Sequence, residues 1–227
     1  MSESVKRRPY TSTLRAEQAA ATRSRVLESA RALFLEQGYP TTTLSQVAGS
    51  AGVAADTVLH IFGSKKGLLT AVLDVTIGGD EDEVAVLDRE GPQAMRSETD
   101  QRRQIAMFAR GMTEQLERIR PLDDILRSAA MVDVDARTLR DDLQQRQRRA
   151  AMTQVVSWIA ANGDLKNAVT IEEATDIVWT MTSPEVHQLF RQTCGWTAER
   201  YQAWLCEALE SALLSADRPP GRRAHRA

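Results

Sequence analysis

Cysteine is scarce in this chain of 227 residues, in which only Cys194 and Cys206 occur. Two cysteines so close to the C-terminal end form neither a disulfide framework nor a zinc-ligand pattern. Free cysteine behaves as a small buried hydrophobe, so we expect two reduced thiols in the core. The lack of a disulfide framework fits a cytoplasmic protein.

Long apolar runs are also missing, and the longest fall far short of the roughly 20 residues that cross a bilayer. The polar, basic N-terminus has no apolar segment behind it, so it does not resemble a secretory signal. No glycine-rich phosphate loop follows a strand, and the three histidines, His60, His187 and His225, are scattered. Without a convergent constellation of reactive groups, we expect no membrane span, no metal, no cofactor and no enzymatic activity.

The remaining composition is ordinary, with 42% hydrophobic and 26% charged residues. Such values are typical of a soluble globular protein, and this length allows a sizeable core in one or two domains. Alternation of period two is scarce, whereas apolar residues recur at spacings of three and four. This periodicity predicts an all-helical fold.

Charge is distributed unevenly along the chain. Residues 1–76 carry a net charge of +3, whereas the rest carries −5. The first fifteen residues include Arg7 and Arg8 and form a basic arm. Such an arm can follow DNA phosphates or enter a minor groove, and the alternative is a solvated, disordered tail.

The N-terminal part has the pattern of a helix-turn-helix. The predicted helices span residues 17–37, 44–51 and 55–62, and a further helix begins at residue 65. Thr43 and Gln46 make a capping box before the second helix, Gly52 ends that helix, and Ser64 caps the fourth. Two short helices joined by a glycine turn place the second one for entry into a DNA major groove.

The C-terminal part is predicted to be longer and helical. Glycine and acidic residues at 77–98 indicate a mobile connection. Beyond it we expect helices at about 99–119, from 135 or 138 to 161, at 171–182 and at 197–214, with Pro121 opening a new element. The arginine-rich first half of the helix that ends near 161 is expected to be a solvated face.

These patterns divide the chain into four predicted parts. They are a basic disordered arm (1–16), a helix-turn-helix DNA-binding domain (17–64), a larger helical domain (65–216) and a disordered tail (217–227). The fold class is therefore all-α, with a three-helix DNA-binding domain followed by a larger helical domain.

An ordered set of residues between positions 22 and 72 resembles the DNA-binding domain of the TetR family. The set consists of Thr22-Arg23, Val26-Leu27, Ala30, Leu33-Phe34, Gly38-Tyr39, Thr42-Thr43, Val47-Ala48, Ala51-Gly52-Val53, Thr57-Val58, Phe62, Ser64-Lys65-Lys66 and Leu68-Leu69. The run 180–186, with Gly195-Trp196-Thr197 and Tyr201, is similar to regulatory domains of some members. The first resemblance covers roughly a quarter of the chain.

The resemblance implies a homodimer whose recognition helices enter successive major grooves, and a C-terminal domain that binds a small molecule and moves the heads apart. It also implies that residues 65–216 form an effector-binding and dimerisation domain. The DNA contacts that it implies are Thr43, Ala54, Ala55, Asp56, Thr57, His60 and Lys65. The charge of the arm adds Arg7 and Arg8 as candidate contacts. The sequence departs from the family pattern at Ala54, where a capping residue is usual. It also departs at Leu59 and Ile61, where phosphate-contacting side chains are usual.

Three of these contacts have an alternative. Lys65, at the start of the fourth helix, is expected to bind phosphate, although it could be a solvated lysine. Asp56 either accepts a hydrogen bond from a cytosine amino group or simply complements the helix dipole. His60 either bonds phosphate or is a surface histidine.

Apolar residues in the larger domain supply candidates for an effector pocket and for a dimer interface. The pocket candidates are Phe108, Met112, Met131, Trp158, Trp179 and His187, each of which could instead be plain core. Two helices, 171–182 and 197–214, are expected to pack against their two-fold copies as a four-helix bundle. The interface candidates are Ile177, Met181, Tyr201, Trp204, Leu205 and Leu209, with Trp204 and Leu205 in the interface or in the adjacent core.

The sequence thus predicts a DNA-binding transcriptional regulator, a repressor released from a palindromic operator by a small-molecule effector. The alternative is a helical protein-interaction module without sequence-specific DNA binding. That module would explain the helical periodicity but not the basic N-terminal part.

Overall fold

The computed structural model describes residues 10–82, 84–166 and 169–215, and within these ranges the secondary structure is helical, as predicted. The α-helices are α1 (Tyr10–Gln37), α2 (Leu44–Ala51), α3 (Ala55–Phe62), α4 (Lys65–Gly78), α5 (Glu90–Ser97), α6 (Gln101–Ala130), α7 (Val134–Asp141), α8 (Arg149–Ala160), α9 (Ile171–Met181), α10 (Pro184–Gln188) and α11 (Ala198–Leu213). A 3₁₀ turn (Val86–Asp88) precedes α5, and π-helical segments follow α7 (Asp142–Arg148) and α10 (Leu189–Thr193). No helix in the described part of the chain combines the length and apolar character needed to cross a membrane.

The chain forms two compact units. The first contains the described residues of 1–76 together with 124–139, and the second contains those of 77–123 and 140–227. The division falls inside α6. The domain boundary at residue 64 stays a prediction.

The core of the first unit is made by one apolar face of α1 and the buried sides of the three helices that follow. Val26, Ala30 and Phe34 lie four residues apart, so they share a face of α1, and all three are fully buried. Gly67 is also required in this unit, because a Cβ at this position would lie 2.1 Å from the Phe62 carbonyl oxygen. The first turn of α4 is therefore held against the end of α3.

The core of the second unit is built mainly from α6, α8, α9 and α11. Its fully buried members include Ile105, Val156, Val178, Leu205 and Leu209. Complete burial of each such side chain contributes about 1.5–3 kcal/mol relative to exposure. The amphipathic patterns at 171–182 and 197–214 therefore produce the predicted helices α9 and α11.

Four sequence predictions require correction at the level of secondary structure. Helix α1 begins at Tyr10, so residues 10–16 are helical rather than part of a disordered arm. The segment 77–98 contains the 3₁₀ turn and α5, because Met95 is buried and its carbonyl accepts a hydrogen bond from Gln104 Nε2 at 3.1 Å.

Helix α6 continues through Pro121 to Ala130. A proline inside a helix costs about 3 kcal/mol, and the buried residues Leu116, Leu122 and Leu126 place apolar packing on both sides of it.

The fourth correction concerns the arginine-rich stretch before α8, which is not uniformly solvated. Arg140 donates to Glu185 Oε1 at 2.5 Å, and its side chain is mostly buried. Arg148 donates to the Trp179 carbonyl and, at 2.9 Å, to Thr182 Oγ1. Because these carboxylate, carbonyl and hydroxyl oxygens accept hydrogen bonds, the two guanidinium groups can be buried.

Candidate nucleic-acid interface

The helix-turn-helix is fixed by local hydrogen bonds. Thr43 Oγ1 accepts from the Gln46 backbone N–H at 3.2 Å, and Gln46 Oε1 accepts from the Thr43 N–H at 2.8 Å, which confirms the capping box. Gly52 has a φ of 67°, the left-handed conformation that glycine adopts most easily. The Val53 N–H then donates to the Ala48 carbonyl at 3.0 Å, which closes the turn into α3.

Helix α3 presents a small and polar surface on the side away from the core. Ala54 at its N-cap makes no side-chain capping bond, which agrees with the missing cap noted in the sequence. Val58 is fully buried and anchors the helix. Most of the predicted contacts on this helix are exposed, namely Ala54, Ala55, Asp56 and His60, and Thr57 is half-buried. Asp56 lies in the first turn of this exposed face, and the DNA contacts of these residues stay predictions.

Leu59 departs from the family pattern, and its exposure makes it part of the same face. This side chain is 49% exposed in the middle of α3. A leucine offers DNA no hydrogen bond, but an apolar side chain in a major groove can contact the thymine methyl group. Exposure is a tertiary property, so the sequence pattern shows that a phosphate-contacting residue is absent but not that the leucine faces solvent.

Lys65 begins α4 and lies against the loop between α1 and α2. Its Nζ donates to the Pro40 carbonyl at 3.1 Å and lies 4.4 Å from the centre of the Tyr39 ring. Burial lowers the pKa of the Lys65 ammonium, and the charge of Asp133 acts in the opposite direction. An ammonium has three donors, so the bond to Pro40 leaves others for phosphate. The phosphate role of Lys65 stays a prediction.

Two cationic side chains that were not among the predicted DNA contacts, Arg23 and Lys66, also lie near these helices. Arg23 of α1 places its guanidinium 5.1 Å from the centre of the Phe62 ring, at the end of α3. Lys66 Nζ lies 3.9 Å from Asp135 Oδ1. Arg7 and Arg8 lie outside the described residues, so their predicted contacts stay predictions.

The predicted pocket residues belong mainly to the second unit. Phe108 and Met112 are buried in its core, and Trp158 and Trp179 pack partly buried against that core. Met131 requires correction: it follows the end of α6, is 78% exposed and belongs to the first unit. It is therefore not a lining residue of a pocket in the second unit. Because α6 continues through Pro121 to Ala130, Met131 follows the part of that helix that belongs to the first unit.

His187 is buried in a polar cluster with Glu117 and Arg191. His187 Nε2 lies 2.9 Å from Glu117 Oε1, and Arg191 Nε donates to the same oxygen at 2.6 Å. The imidazole also packs edge-on against the Tyr201 ring, with centres 4.8 Å apart. Burial lowers the pKa of His187 and outweighs the opposing effect of Glu117, whereas Arg191 and Arg120 reinforce the lowering. His187 is thus a neutral histidine with a hydrogen-bond partner in the core.

Arg148 is a second buried polar group in this unit. Its guanidinium lies 5.2 Å from the centre of the Trp179 ring, and the Trp179 Nε1–H donates to the Gln144 carbonyl at 3.0 Å. Burial lowers the pKa of Arg148 to about 10, which leaves it protonated at neutral pH. The cluster joins the π-helical segment to the end of α9.

The predicted dimer residues divide into two groups. Tyr201, Leu205 and Leu209 have no exposed area in the single chain. They pack in the core of the single chain and have no exposed surface to lose to a partner. Tyr201 and Leu209 are therefore corrected to core residues, and Leu205 lies in the core, which was one of the two positions predicted for it. Ile177, Met181 and Trp204 are partly exposed on α9 and α11 and remain interface candidates.

Comparison with known proteins identifies a family whose DNA-binding domain is similar to the N-terminal helices. Residues 26–72 match the family model described as "Bacterial regulatory proteins, tetR family". The uncharacterized HTH-type transcriptional regulator TtgW of Pseudomonas putida is 41% identical over 58 residues. That match covers 26% of this chain and 43% of the relative, so the chain spans less than half the length of this curated relative.

Solved structures share the fold over most of the chain. NalD of Pseudomonas aeruginosa, described as the secondary repressor of the MexAB-OprM multidrug efflux pump, is 17% identical with a TM-score of 0.60, covering 85% of this chain and 96% of NalD. A protein from Saccharomonospora viridis solved in complex with choline is 15% identical with a TM-score of 0.61, covering 86% of this chain and 98% of the other. At these identities the likeness concerns the fold.

The helix-turn-helix followed by a helical second unit is the fold of solved TetR-type transcriptional regulators. The N-terminal helices, residues 26–72, are therefore similar to the DNA-binding domain of the TetR family.

Proposed function

We propose that this protein is a cytoplasmic, homodimeric repressor that binds a palindromic operator and is released by a small molecule. The observation that carries the DNA-binding part is the fixed helix-turn-helix, whose second helix exposes Asp56, Leu59 and His60 within a segment matching the TetR family model. The description of NalD as a repressor supports the direction of regulation.

The effector part of the proposal rests on the second unit. Its core combines apolar side chains with two buried polar clusters, at His187 and at Arg148. Sites for small molecules typically join an apolar lining to a few polar groups that fix orientation. Phe108, Met112 and Trp179 are the proposed apolar lining. The choline complex of the Saccharomonospora viridis protein supports small-molecule binding in this fold.

The dimer part rests on α9 and α11. Ile177, Met181 and Trp204 leave partly exposed apolar area on these helices. An isologous contact between two copies would cover this area with the same residues from each copy. A dimer would also present two α3 helices to one palindrome.

The first test selects operators from a random DNA pool with the full chain and then measures Kd by fluorescence anisotropy. The proposal expects an inverted repeat, with half-sites one helical turn apart or a multiple of it. The selected duplex should bind about a thousandfold or more tighter than a scrambled duplex at physiological salt. Equal affinity for both duplexes would support the protein-interaction module instead.

The second test concerns the effector. Small molecules that raise the Tm of the free protein would be titrated with and without the selected operator. Release by an effector requires the operator to weaken ligand binding by the same factor by which the ligand weakens operator binding. Ligands that bind equally in both states would remove the switching part of the proposal and leave the DNA-binding part intact.

A further inference from the structure

We propose that Asp133 and Asp135, at the corner between α6 and α7, limit DNA affinity by opposing the binding of phosphates at Lys65 and Lys66, at the start of α4. The inference rests on the proposed DNA-binding function and adds two residues that neither the sequence pattern nor the family model marks. All four residues belong to the first compact unit.

The direct contact is the pair between Lys66 and Asp135. Lys66 Nζ lies 3.9 Å from Asp135 Oδ1, and the two side chains are 38% and 71% exposed. Solvent-exposed pairs of this kind are weak, typically about 0.2–1 kcal/mol. A DNA phosphate can therefore displace the carboxylate, but the protein must give up the pair when it does so. Asp135 thus reduces affinity without preventing binding.

Asp133 lies two residues before Asp135, and its charge opposes the lowering of the Lys65 pKa by burial. Its Oδ1 accepts from the Ala136 N–H at 2.9 Å, which fixes the carboxylate at the start of α7. Lys65 is held in turn by the Pro40 carbonyl and the Tyr39 ring. The charges of Asp133 and Asp135 add to burial in raising the pKa of Tyr39 to about 12, which agrees with their lying near this loop.

Fixed carboxylates near the two lysines have a second effect. Charges interact over about 8 Å at physiological ionic strength, so a phosphate that approaches Lys65 or Lys66 also meets the field of Asp133 and Asp135. The corner therefore lowers the positive potential of both lysines before contact, and Asp135 competes for Lys66 at contact. Both effects weaken binding to any DNA sequence.

The test replaces each carboxylate by its neutral isostere, Asp133→Asn and Asp135→Asn. An asparagine at 133 keeps an oxygen to cap α7, and position 135 is exposed, so both variants should fold. Kd would be measured by fluorescence anisotropy on the selected operator and on a random-sequence duplex of the same length, at several KCl concentrations. We expect each variant to bind both duplexes about twofold to fivefold tighter, with unchanged sequence preference.

A double-mutant cycle separates this effect from a general loss of negative charge. In a Lys66→Gln background, Asp135→Asn should tighten binding less than it does in the wild type, because the direct pair is absent and only the field of the carboxylate remains. Glu28→Gln, an exposed carboxylate of α1 in the same unit, is the matched control and should change Kd less than Asp135→Asn does. An equal gain from Asp135→Asn with and without Lys66, or from Glu28→Gln, would overturn the competition.

The outcomes also distinguish this inference from the proposed function. A wild-type chain that binds both duplexes, with Asp133→Asn and Asp135→Asn unchanged in affinity, would overturn the inference alone. A chain that binds neither duplex would overturn both.

Discussion

His187 should make the stability of the protein fall as the pH drops below neutral. Its folded-state pKa is lowered by burial, while the unfolded chain has the ordinary value near 6.5. As the pH falls below 6.5, the unfolded state therefore binds a proton at this imidazole, whereas the folded state stays neutral there. The stability from this group is present above pH 6.5 and is lost as the pH falls toward the folded-state pKa. The variant His187→Gln removes the titrating group and keeps an amide that can donate to Glu117.

The size of the effect follows from proton linkage. One proton taken up on unfolding lowers the free energy of unfolding by about 1.4 kcal/mol per pH unit below the unfolded pKa. Between pH 7.5 and 5.5 the loss is therefore at most about 1.4 kcal/mol, if the folded imidazole stays neutral. For a chain of this size, such a loss lowers the Tm by about 3–6 °C.

The assay is thermal unfolding followed by circular dichroism at half-unit steps from pH 7.5 to 5.5. The wild type should lose Tm over this range, and His187→Gln should have a flatter profile. His60→Gln is the matched control, because it makes the same replacement at an exposed histidine of α3, outside the buried cluster. Parallel profiles for wild type and His187→Gln would refute the reasoning, since His187 would then titrate alike in both states.

Three further predictions concern the DNA-binding unit. Lys65→Ala should weaken binding to all sequences by a similar factor and lower the slope of log Kd against log salt by about one per half-site, whereas an unchanged slope would exclude a phosphate contact. Asp56→Ala should reduce the preference at one base pair of each half-site by about 1–3 kcal/mol and raise non-specific affinity, as measured on single-base operator variants; an unchanged preference would leave Asp56 a helix-dipole residue. Gly67→Ala should destabilise the chain by about 1–3 kcal/mol in urea unfolding, because its Cβ would meet the Phe62 carbonyl. If the urea midpoint of Gly67→Ala equalled that of the wild type, α4 could shift without loss of stability.

Local signals explain why the head of the molecule could be predicted from the sequence. The bounds of α2 and α3 agree with the prediction, because a capping box and a left-handed glycine act within a few residues of each helix end. The same holds for α9, which starts after the capping box of Thr170 and Glu173. These hydrogen bonds join residues that are close in sequence and do not depend on tertiary contacts, so they can be predicted from the sequence.

Tertiary contacts explain the errors. Pro121 is a helix breaker by local rules, yet it lies inside α6. Arg148 belongs to a stretch that looks solvated, but acceptors from α9 and its C-cap bury it. Tyr201 and Leu205 share an apolar stripe that fits a dimer face equally well, and only the packing of the single chain shows that they are core. Periodicity identifies the buried side of a helix but not the surface that buries it.

The first compact unit is made from two separate stretches of chain, 1–76 and 124–139. On the ribosome, the helix-turn-helix therefore emerges well before the residues that complete its unit. At roughly 5–20 residues per second, synthesis takes several seconds to pass from residue 76 to residue 139. During that interval the nascent head lacks the corner that carries Asp133 and Asp135, so Lys65 and Lys66 emerge without their acidic neighbours.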